Sequence, residues 1–157
     1  MVKILMHGCN GKMGRMITEI VKNEEDAVIA AGVDKFTGIP NDYPVFEKIT
    51  QCDVGVDVVI DFSNAAAVDD LLEACEKKGL PVVLCTTGLS EEQIAKVKKT
   101  SEKVAVLRSA NMSLGVNLLM KLLKDASKVL APAGYDIEIV EKHHNQKVDA
   151  PSGTALA

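Results

Sequence analysis

The segment Val2–Gly14 reads VKILMHGCNGKMG, and it predicts how the chain begins to fold. Its first part, Val2–Met6, is a short apolar run with β-branched members, which is typical of a buried strand. Gly8, Gly11 and Gly14 follow at once, and apolar residues then recur at the spacing of one helical face. The residues on that face are Met13, Met16, Ile17, Ile20 and Val21. The segment therefore predicts a strand, a glycine turn and a helix in direct succession.

A glycine turn in this position is where a dinucleotide pyrophosphate meets backbone N–H groups and a helix N-terminus. The spacing here is Gly-x-x-Gly-x-x-Gly, one residue looser than the common fingerprint. A glycine-rich turn can also be a plain connector. Its place between a strand and a helix nevertheless favours a cofactor site.

A second strand is predicted at Ala27–Val33, and it ends at Asp34 and Lys35. An acidic residue about 20 positions after the glycines binds a ribose hydroxyl in NAD sites, and Asp34 fits that role. Lys35 could pair with the 2′-phosphate of NADP. The pair therefore indicates NAD binding with tolerance of NADP, although a polar pair also commonly ends a strand.

Strands and helices continue to alternate along the chain. The further predicted elements are a loop at Thr37–Tyr43, a short helix at Val45–Cys52, a strand at Val56–Ile60, a helix with Val68, Leu71, Leu72 and Cys75 on one face that ends at Gly79, a strand at Val82–Cys85, a helix capped by Ser90 and Gln93, and a strand at Val104–Leu107. Such alternation predicts an α/β fold with a Rossmann-like doubly wound parallel sheet.

A long helix is predicted from Leu114 to about Ala131, where Pro132 stops it. Its apolar residues cover two sides, so we expect it to be buried between domains or subunits. A further strand is predicted at Ile137–Val140. We therefore divide the chain into a dinucleotide-binding domain, 1–113, and the beginning of an α+β substrate domain, 114–157.

The segment Glu141–Ala155 reads EKHHNQKVDAPSGTA and is where we expect the chemistry. Two adjacent histidines, with Lys147 close by, are candidate proton donors. Pro151 suits a helix entrance, Ser152 can cap the helix, and the N–H groups that follow form a candidate anion site. A polar surface loop is the alternative interpretation of this segment.

Composition excludes several classes of protein. The chain has 157 residues, of which 47% are apolar and 25% charged, and its formal net charge of −4 argues against nucleic-acid binding. The four cysteines are far apart, so we expect reduced thiols with no disulfide or metal framework. No apolar run approaches the length of a membrane span, and the N-terminus does not resemble a signal peptide, so a cytoplasmic protein is expected.

Several motifs together carry a family resemblance. The segment Glu141–Ala155 resembles the signature of the bacterial dihydrodipicolinate reductases, also called 4-hydroxy-tetrahydrodipicolinate reductases. The motifs Gly8–Arg15, Asp61–Ser63, Thr86–Gly88 and Ser109–Asn117 match the family in the same order. The resemblance covers the whole chain.

The resemblance implies reduction of a cyclic, unsaturated dicarboxylate to tetrahydrodipicolinate by NADH or NADPH, within lysine and diaminopimelate biosynthesis. It assigns general acid/base catalysis to His143 and proton donation to Lys147. The implied substrate-binding residues are His144, Gly153 and Thr154, joined by Ser152 as part of the anion site. The implied cofactor-binding residues are Gly8, Cys9, Asn10, Gly11, Lys12, Met13, Asp34, Lys35, Cys85, Thr86, Thr87, Ser109, Ala110, Asn111 and Met112. No metal is implied.

Three departures from the family pattern stand out. Cys85 replaces a usual glycine, and Met112 replaces a usual aromatic residue. Family members also continue well beyond the position that matches Ala157, and they form homotetramers through the sheet of their second domain. The alternative is therefore a cofactor-binding fragment of the enzyme without turnover.

Overall fold

The computed structural model describes residues 1–143, 145 and 150–156. The chain divides into two compact units, Met1–Ser109 and Ala110–Ala157. The first unit contains a β-sheet with helices on both faces, and the second contains a long helix followed by turns and irregular segments. The division after residue 113 made from the sequence stays a prediction.

The described strands form one parallel sheet of six strands. The strands are β1 Val2–His7, β2 Ala27–Val33, β3 Val45–Phe46, β4 Val58–Asp61, β5 Val82–Leu84 and β6 Val106–Arg108. They lie in the order β3-β2-β1-β4-β5-β6, so the chain starts in the middle of the sheet, moves to one edge and returns to build the other half. The predicted doubly wound parallel sheet is confirmed.

Helices cover the sheet on both faces. These helices are α1 Lys12–Val21, α2 Val68–Lys78 and α3 Glu91–Thr100, all in the first unit. The second unit contains a helix of its own, α4 Leu114–Leu130. Leu5, Val59 and Leu84 belong to the larger hydrophobic cluster, which includes residues of α2 and α3. Ile4 and Met6 belong to the smaller cluster, against which the side chains of α1 pack. Alternate residues of one strand therefore serve two cores, as the period of a β-strand requires.

Helix α1 is rotated relative to the expected apolar face. Gly14 and Thr18 are buried, whereas Met16 and Ile20 are 58% and 53% exposed. The cause is a backbone contact, since a Cβ added at Gly14 would lie 2.2 Å from the backbone oxygen of Gly8. Gly14 and Thr18 therefore face the sheet, and three residues of the predicted apolar face, Met13, Met16 and Ile20, are exposed.

The predicted short helix at Val45–Cys52 is also wrong. Its first two residues form β3, which pairs with the end of β2, and a 3₁₀ turn follows at Ile49–Gln51. The Gly32 N–H donates to the Pro44 oxygen at 2.9 Å, and the Asp34 N–H donates to the Phe46 oxygen at 3.0 Å. Pairing with an open sheet edge thus overrides the local helical pattern.

The predicted ends of two helices are confirmed. Helix α2 stops at Gly79, whose φ of +66° lies in the left-handed region. Helix α3 begins with a capping box, in which the Ser90 hydroxyl accepts from the Gln93 N–H at 3.2 Å and the Ser90 N–H donates to Gln93 Oε1 at 3.1 Å. These local signals hold because they depend only on residues a few positions apart.

The second unit buries little of its apolar surface. Helix α4 has no buried residue, and Leu118 and Leu122 are 55% and 57% exposed. Its expected place between domains or subunits stays a prediction. The predicted strand Ile137–Val140 is wrong for the described chain, because the segment is exposed and pairs there with no strand. An isolated segment lacks the interstrand hydrogen bonds that define a strand.

The left-handed end of α2 gives a test with a matched control. An added Cβ meets open space at both Gly79 and Gly55, but only Gly79 has a positive φ. We expect Gly79→Ala to lower the free energy of unfolding by about 1–2 kcal/mol, because an L-residue is strained there. Gly55→Ala should leave it unchanged or raise it slightly. Urea unfolding measures both, and equal losses would contradict this account.

Candidate active site

The carboxyl ends of β1, β2 and β4 open onto a cavity of about 680 Å³. The strand order reverses between β1 and β4, and open parallel sheets bind their ligands at such a point. Of the cofactor residues predicted from the sequence, those that line the cavity are Gly8, Asn10, Gly11, Asp34 and Lys35. The structure thus brings residues from two separate predicted motifs into one cavity.

The backbone of the glycine turn is packed so closely that Gly8 and Gly14 have no room for a side chain. Gly8 has a φ of +80°, and a Cβ added there would lie 2.5 Å from the backbone oxygen of Phe62. Gly14 allows α1 to contact the turn directly, as described above. Gly11 is the N-cap of α1, and no side chain caps this helix end. Bare backbone at an uncapped helix N-terminus fits a pyrophosphate group.

Asp34 is fixed by two backbone groups before any ligand binds. Its Oδ2 accepts from the Asn10 N–H at 3.0 Å, and its Oδ1 accepts from the Phe36 N–H at 3.0 Å. Asn10 Nδ2 in turn donates to the Phe36 oxygen at 2.5 Å. The end of β2 is therefore tied to the glycine turn, and the carboxylate of Asp34 is held at the cavity wall.

A buried polar cluster lies at the same edge of the sheet. His7 Nδ1 lies 2.6 Å from Asp61 Oδ1, and these residues are register partners on β1 and β4. The hydroxyls of Ser63 and Thr86 donate to the two oxygens of Asp61, each at 2.6 Å. Asp61 is fully buried, while His7 and Ser63 line the cavity. The cluster therefore joins the core to the cavity wall.

The surroundings of Asp61 favour its charged form. Burial acts to raise the pKa of Asp61, but the hydrogen bond and charge of His7 and the hydroxyls of Ser63 and Thr86 together lower it below its ordinary value. An ionised carboxylate at this point accepts a hydrogen bond from His7 Nδ1–H. The imidazole is thereby held at the cavity wall.

The cysteines point away from the cavity. Cys9 and Cys85 are buried, and burial, with the nearby charges of Asp34 and Asp61 respectively, raises the pKa of each thiol to about 11. Cys9 Sγ would lie 2.7 Å from a Cβ added at Gly32, so this thiol packs inside the core. Among the described residues that line the cavity, neither cysteine occurs. If Cys9 and Cys85 contribute to a cofactor site, they do so through their backbone.

The other predicted cofactor residues have varied surroundings. Lys12, Met13 and Thr87 are exposed. The Ser109 N–H donates to the Leu84 oxygen at 3.1 Å, which extends the pairing beyond β6. Ala110 and Met112 are exposed residues of the second unit.

Ser152 organises a turn in the second unit. It is 2% exposed, and its hydroxyl accepts from the Ala155 N–H at 3.1 Å, as a helix cap does. The same hydroxyl donates to Glu141 Oε2, and the Ser152 N–H donates to Glu141 Oε1 at 2.8 Å. The predicted capping hydrogen bond at Ser152 is present, but the described residues that follow form a turn and not a helix. The side chain of Ser152 faces inward, which leaves Gly153 and Thr154 as the more accessible residues of this turn.

Two predicted residues of different roles meet in the second unit. Asn111 Nδ2 donates to the Thr154 hydroxyl at 3.0 Å, and Asn117 Nδ2 donates to the Asn111 oxygen at 2.8 Å. The Ser113 N–H donates to Asn111 Oδ1 at 2.8 Å, so Asn111 is held on several sides. The segment before α4 is therefore connected to the turn that contains Thr154.

His143 lies next to the same turn. Its Nδ1 is 3.5 Å from Glu141 Oε2, and its side chain is 39% exposed. The predicted residues His144 and Lys147 lie outside the described residues. No helix in the described part of the chain is long and apolar enough to cross a membrane.

Comparison with known proteins now decides the family. A family profile described as dihydrodipicolinate reductase, N-terminus, matches residues 2–112, and one described as dihydrodipicolinate reductase, C-terminus, matches residues 115–157. This chain belongs to the dihydrodipicolinate reductase family. The resemblance carried by the motifs is confirmed.

Relatives in this family match nearly the whole chain. The 4-hydroxy-tetrahydrodipicolinate reductase of Clostridium novyi (strain NT) is 56% identical over 99% of this chain and 62% of its own length. That of Caldanaerobacter subterraneus subsp. tengcongensis is 50% identical over 99% of this chain and 61% of its own length. The chain therefore spans about three-fifths of the length of these relatives.

Solved structures agree with the fold. A dipicolinate-bound dihydrodipicolinate reductase from Paenisporosarcina sp. TG-14 has a TM-score of 0.78 and 31% identity, over 99% of this chain and 63% of that chain. A dehydrogenase from Chromobacterium violaceum, with a TM-score of 0.61 and 14% identity over 82% of this chain and 40% of that chain, shares the fold alone.

Sequence reasoning assigned no role to several residues at the candidate site. His7, Ser63 and Asn64 line the cavity, and Asp61 lies beneath it, although none was assigned a role. A signal was present, because each is a polar residue at or just after a buried strand. Glu141 was also missed, and its partner Ser152 is too distant in sequence for a local pattern to reveal.

The buried carboxylate of Asp61 predicts a pH-dependent stability. Because its folded-state pKa is lowered, Asp61 contributes stability that is present at neutral pH and lost as the pH falls through that pKa. We expect Asp61→Asn to lower the free energy of unfolding by about 3 kcal/mol at pH 7, since a buried pair is broken. This destabilisation should become smaller when the pH is lowered below the ordinary pKa of an aspartate.

Urea unfolding at a series of pH values measures the effect of Asp61→Asn. The matched control is Glu19→Gln, because Glu19 forms an exposed pair with Lys22 at 2.9 Å. Its loss should stay below about 1 kcal/mol at every pH. If the loss of unfolding free energy in Asp61→Asn stays constant as the pH is lowered, the charge of Asp61 does not stabilise the fold.

Proposed function

We propose that this chain contributes the nucleotide-binding and proton-transfer parts of a 4-hydroxy-tetrahydrodipicolinate reductase. The reaction adds a hydride from NADH or NADPH and a proton to a cyclic, unsaturated dicarboxylate, and gives tetrahydrodipicolinate. The observation that carries the proposal is the glycine turn, whose backbone is bare at Gly8 and Gly14 and ends at the uncapped start of α1. Family membership adds the substrate class.

The cofactor would lie across the cavity at the carboxyl ends of the strands. The glycine turn and the first N–H groups of α1 would hold its pyrophosphate. The carboxylate of Asp34 would accept a hydrogen bond from the adenosine ribose, and Lys35 beside it would pair with a 2′-phosphate. Because both side chains line the cavity, we propose that NADH and NADPH both bind. The bound cofactor supplies the hydride.

His143 and Lys147 would supply the proton, as the resemblance implies. His143 would hold a proton and release it to the substrate as negative charge develops there. The ammonium of Lys147 would stabilise that charge or donate the proton itself. Because the cofactor supplies the hydride, both residues would serve the proton, which must reach a different atom of the substrate.

The turn Ser152–Thr154 would bind a substrate carboxylate. Ser152 shapes the turn through its inward hydroxyl, and the N–H groups of Gly153 and Thr154 would face the anion. His144 would add a donor. The hydrogen bond between Asn111 and Thr154 would keep the Thr154 hydroxyl in a defined position for the substrate.

The location and assembly of the enzyme follow from the resemblance. We propose that the whole protein acts in the cytoplasm as a homotetramer on a small-molecule dicarboxylate, with no nucleic-acid or membrane partner. The cavity of the first unit lies within a single chain, so cofactor binding would not require the assembly.

Calorimetry with NADH and NADPH, in the absence and presence of pyridine-2,6-dicarboxylate, tests the proposed function. We expect this chain to bind both cofactors and to bind the dicarboxylate more tightly once a cofactor is present. Cofactor binding without dicarboxylate binding would support the fragment alternative, in which turnover needs the length of the relatives. Failure of both cofactors to bind would overturn the assignment of the glycine turn.

The glycine turn itself is tested by Gly14→Ala. The added methyl group would overlap the Gly8 backbone, and the start of α1 must then move away from the turn. We expect NADH affinity to fall by about 10-fold or more, which corresponds to about 1.4 kcal/mol. The matched control is Gly38→Ala, where an added Cβ meets no atom within 4 Å. Equal affinities for the two variants would contradict the proposed phosphate site.

A further inference from the structure

The carboxylate of Glu141 brings together two separated parts of the second unit. Its Oε1 accepts from the Ser152 N–H at 2.8 Å, and its Oε2 accepts from the Ser152 hydroxyl. The same Oε2 lies 3.5 Å from His143 Nδ1. One side chain thus reaches both the turn proposed to bind substrate and the imidazole proposed to transfer the proton.

Partial burial makes these contacts significant. Ser152 is 2% exposed, and the side chain of Glu141 is 30% exposed, so water screens the carboxylate only in part. A hydrogen bond to an ionised group is also stronger than one between neutral groups. Both oxygens of Glu141 are engaged by Ser152, so the carboxylate has a fixed orientation toward His143.

We propose that Glu141 is a positioning residue for His143. This inference rests on the proposed function, because it assigns Glu141 a role in the same proton transfer. The carboxylate accepts from Nδ1–H and keeps the ring proton on that nitrogen. Nε2 is then the atom of His143 that holds and releases the catalytic proton, and the ring cannot turn freely about χ2.

The geometry explains why a carboxylate is needed at this position. Ser152 offers two donors, its N–H and its hydroxyl, and His143 offers a third when Nδ1 carries a proton. An ionised carboxylate only accepts hydrogen bonds, so all three donors match it. A glutamine amide has one oxygen and one NH₂ group, so it cannot accept from both sides at once.

A purely structural clamp is the competing explanation. In that case Glu141 would serve Ser152 alone, and His143 would be unaffected by the charge. The variant Glu141→Gln separates the two explanations, because it keeps the size of the side chain and an acceptor for the Ser152 N–H. Glu138→Gln is the matched control, since Glu138 is an exposed glutamate of the same segment.

The first measurement is the nitrogen NMR spectrum of the His143 ring in this chain, assigned by its absence in His143→Gln. The nitrogen shifts report which ring nitrogen carries the proton when the imidazole is neutral. We expect the Nδ1–H form to dominate in the wild type and in Glu138→Gln, and the Nε2–H form to dominate in Glu141→Gln. If the same nitrogen of the His143 ring carries the proton in Glu141→Gln as in the wild type, the proposal is overturned.

The second measurement is the pH dependence of kcat, in the chain extended to the length of its relatives. We expect Glu141→Gln to lower kcat by about 10-fold or more and to alter the shape of the pH profile, with the affinity for NADH unchanged. Glu141→Asp should recover part of the rate, because the charge is restored. A uniform loss at every pH, with no recovery in Glu141→Asp, would indicate a structural clamp and overturn the proposal.

The two measurements separate this inference from the proposed function. Suppose that Glu141→Gln changes the protonated nitrogen of the His143 ring but that the wild-type protein reduces no substrate. Glu141 would then be supported as the residue that orients His143, and the reductase assignment would be rejected. Turnover by the wild type, together with an unchanged protonated nitrogen in Glu141→Gln, would support the reductase assignment and reject the role of Glu141.

Discussion

The first unit depends on the close approach between Gly14 and the backbone of Gly8. Because no side chain separates them, α1 packs backbone to backbone against the turn that follows β1. This contact fixes the rotation of α1, which turns Thr18 inward and Met16 outward. It also aims the N-terminus of α1 at the cavity. One steric constraint therefore determines both the packing of the helix and the placement of the helix end that is proposed to bind the pyrophosphate.

The core and the site meet at the ends of adjacent strands. Leu5 and Val59 lie in the larger hydrophobic cluster, and two residues later on the same strands come His7 and Asp61. Side chains two positions apart point to the same face of a sheet, so the apolar row continues directly into the polar cluster. A change at Asp61 would therefore act both on the core and on His7 at the cavity wall.

The parts of the structure that local patterns encode could be predicted from the sequence. The buried strands, the glycine turn and the capping box of Ser90 depend on residues close in sequence, and each is present. The prediction of a short helix at Val45–Cys52 was wrong because two of its residues pair with β2 at the sheet edge, which a local helical pattern cannot anticipate. The exposure of Met16 and Ile20 on α1 could not be predicted from the apolar spacing, because the rotation of the helix depends on a backbone contact. The role of Glu141 escaped notice because its contact with Ser152 exists only in the folded chain.

The arrangement of Asp34 has a consequence for the thermodynamics of ligand binding. Its carboxylate loses its rotational freedom when the Asn10 and Phe36 amides bind it, and this happens as the chain folds. A ribose that docks there finds an acceptor already in place, so the ordering entropy of that side chain does not reduce the binding affinity. Under the proposed function, recognition of the ribose at Asp34 would therefore be closer to rigid docking than to induced fit.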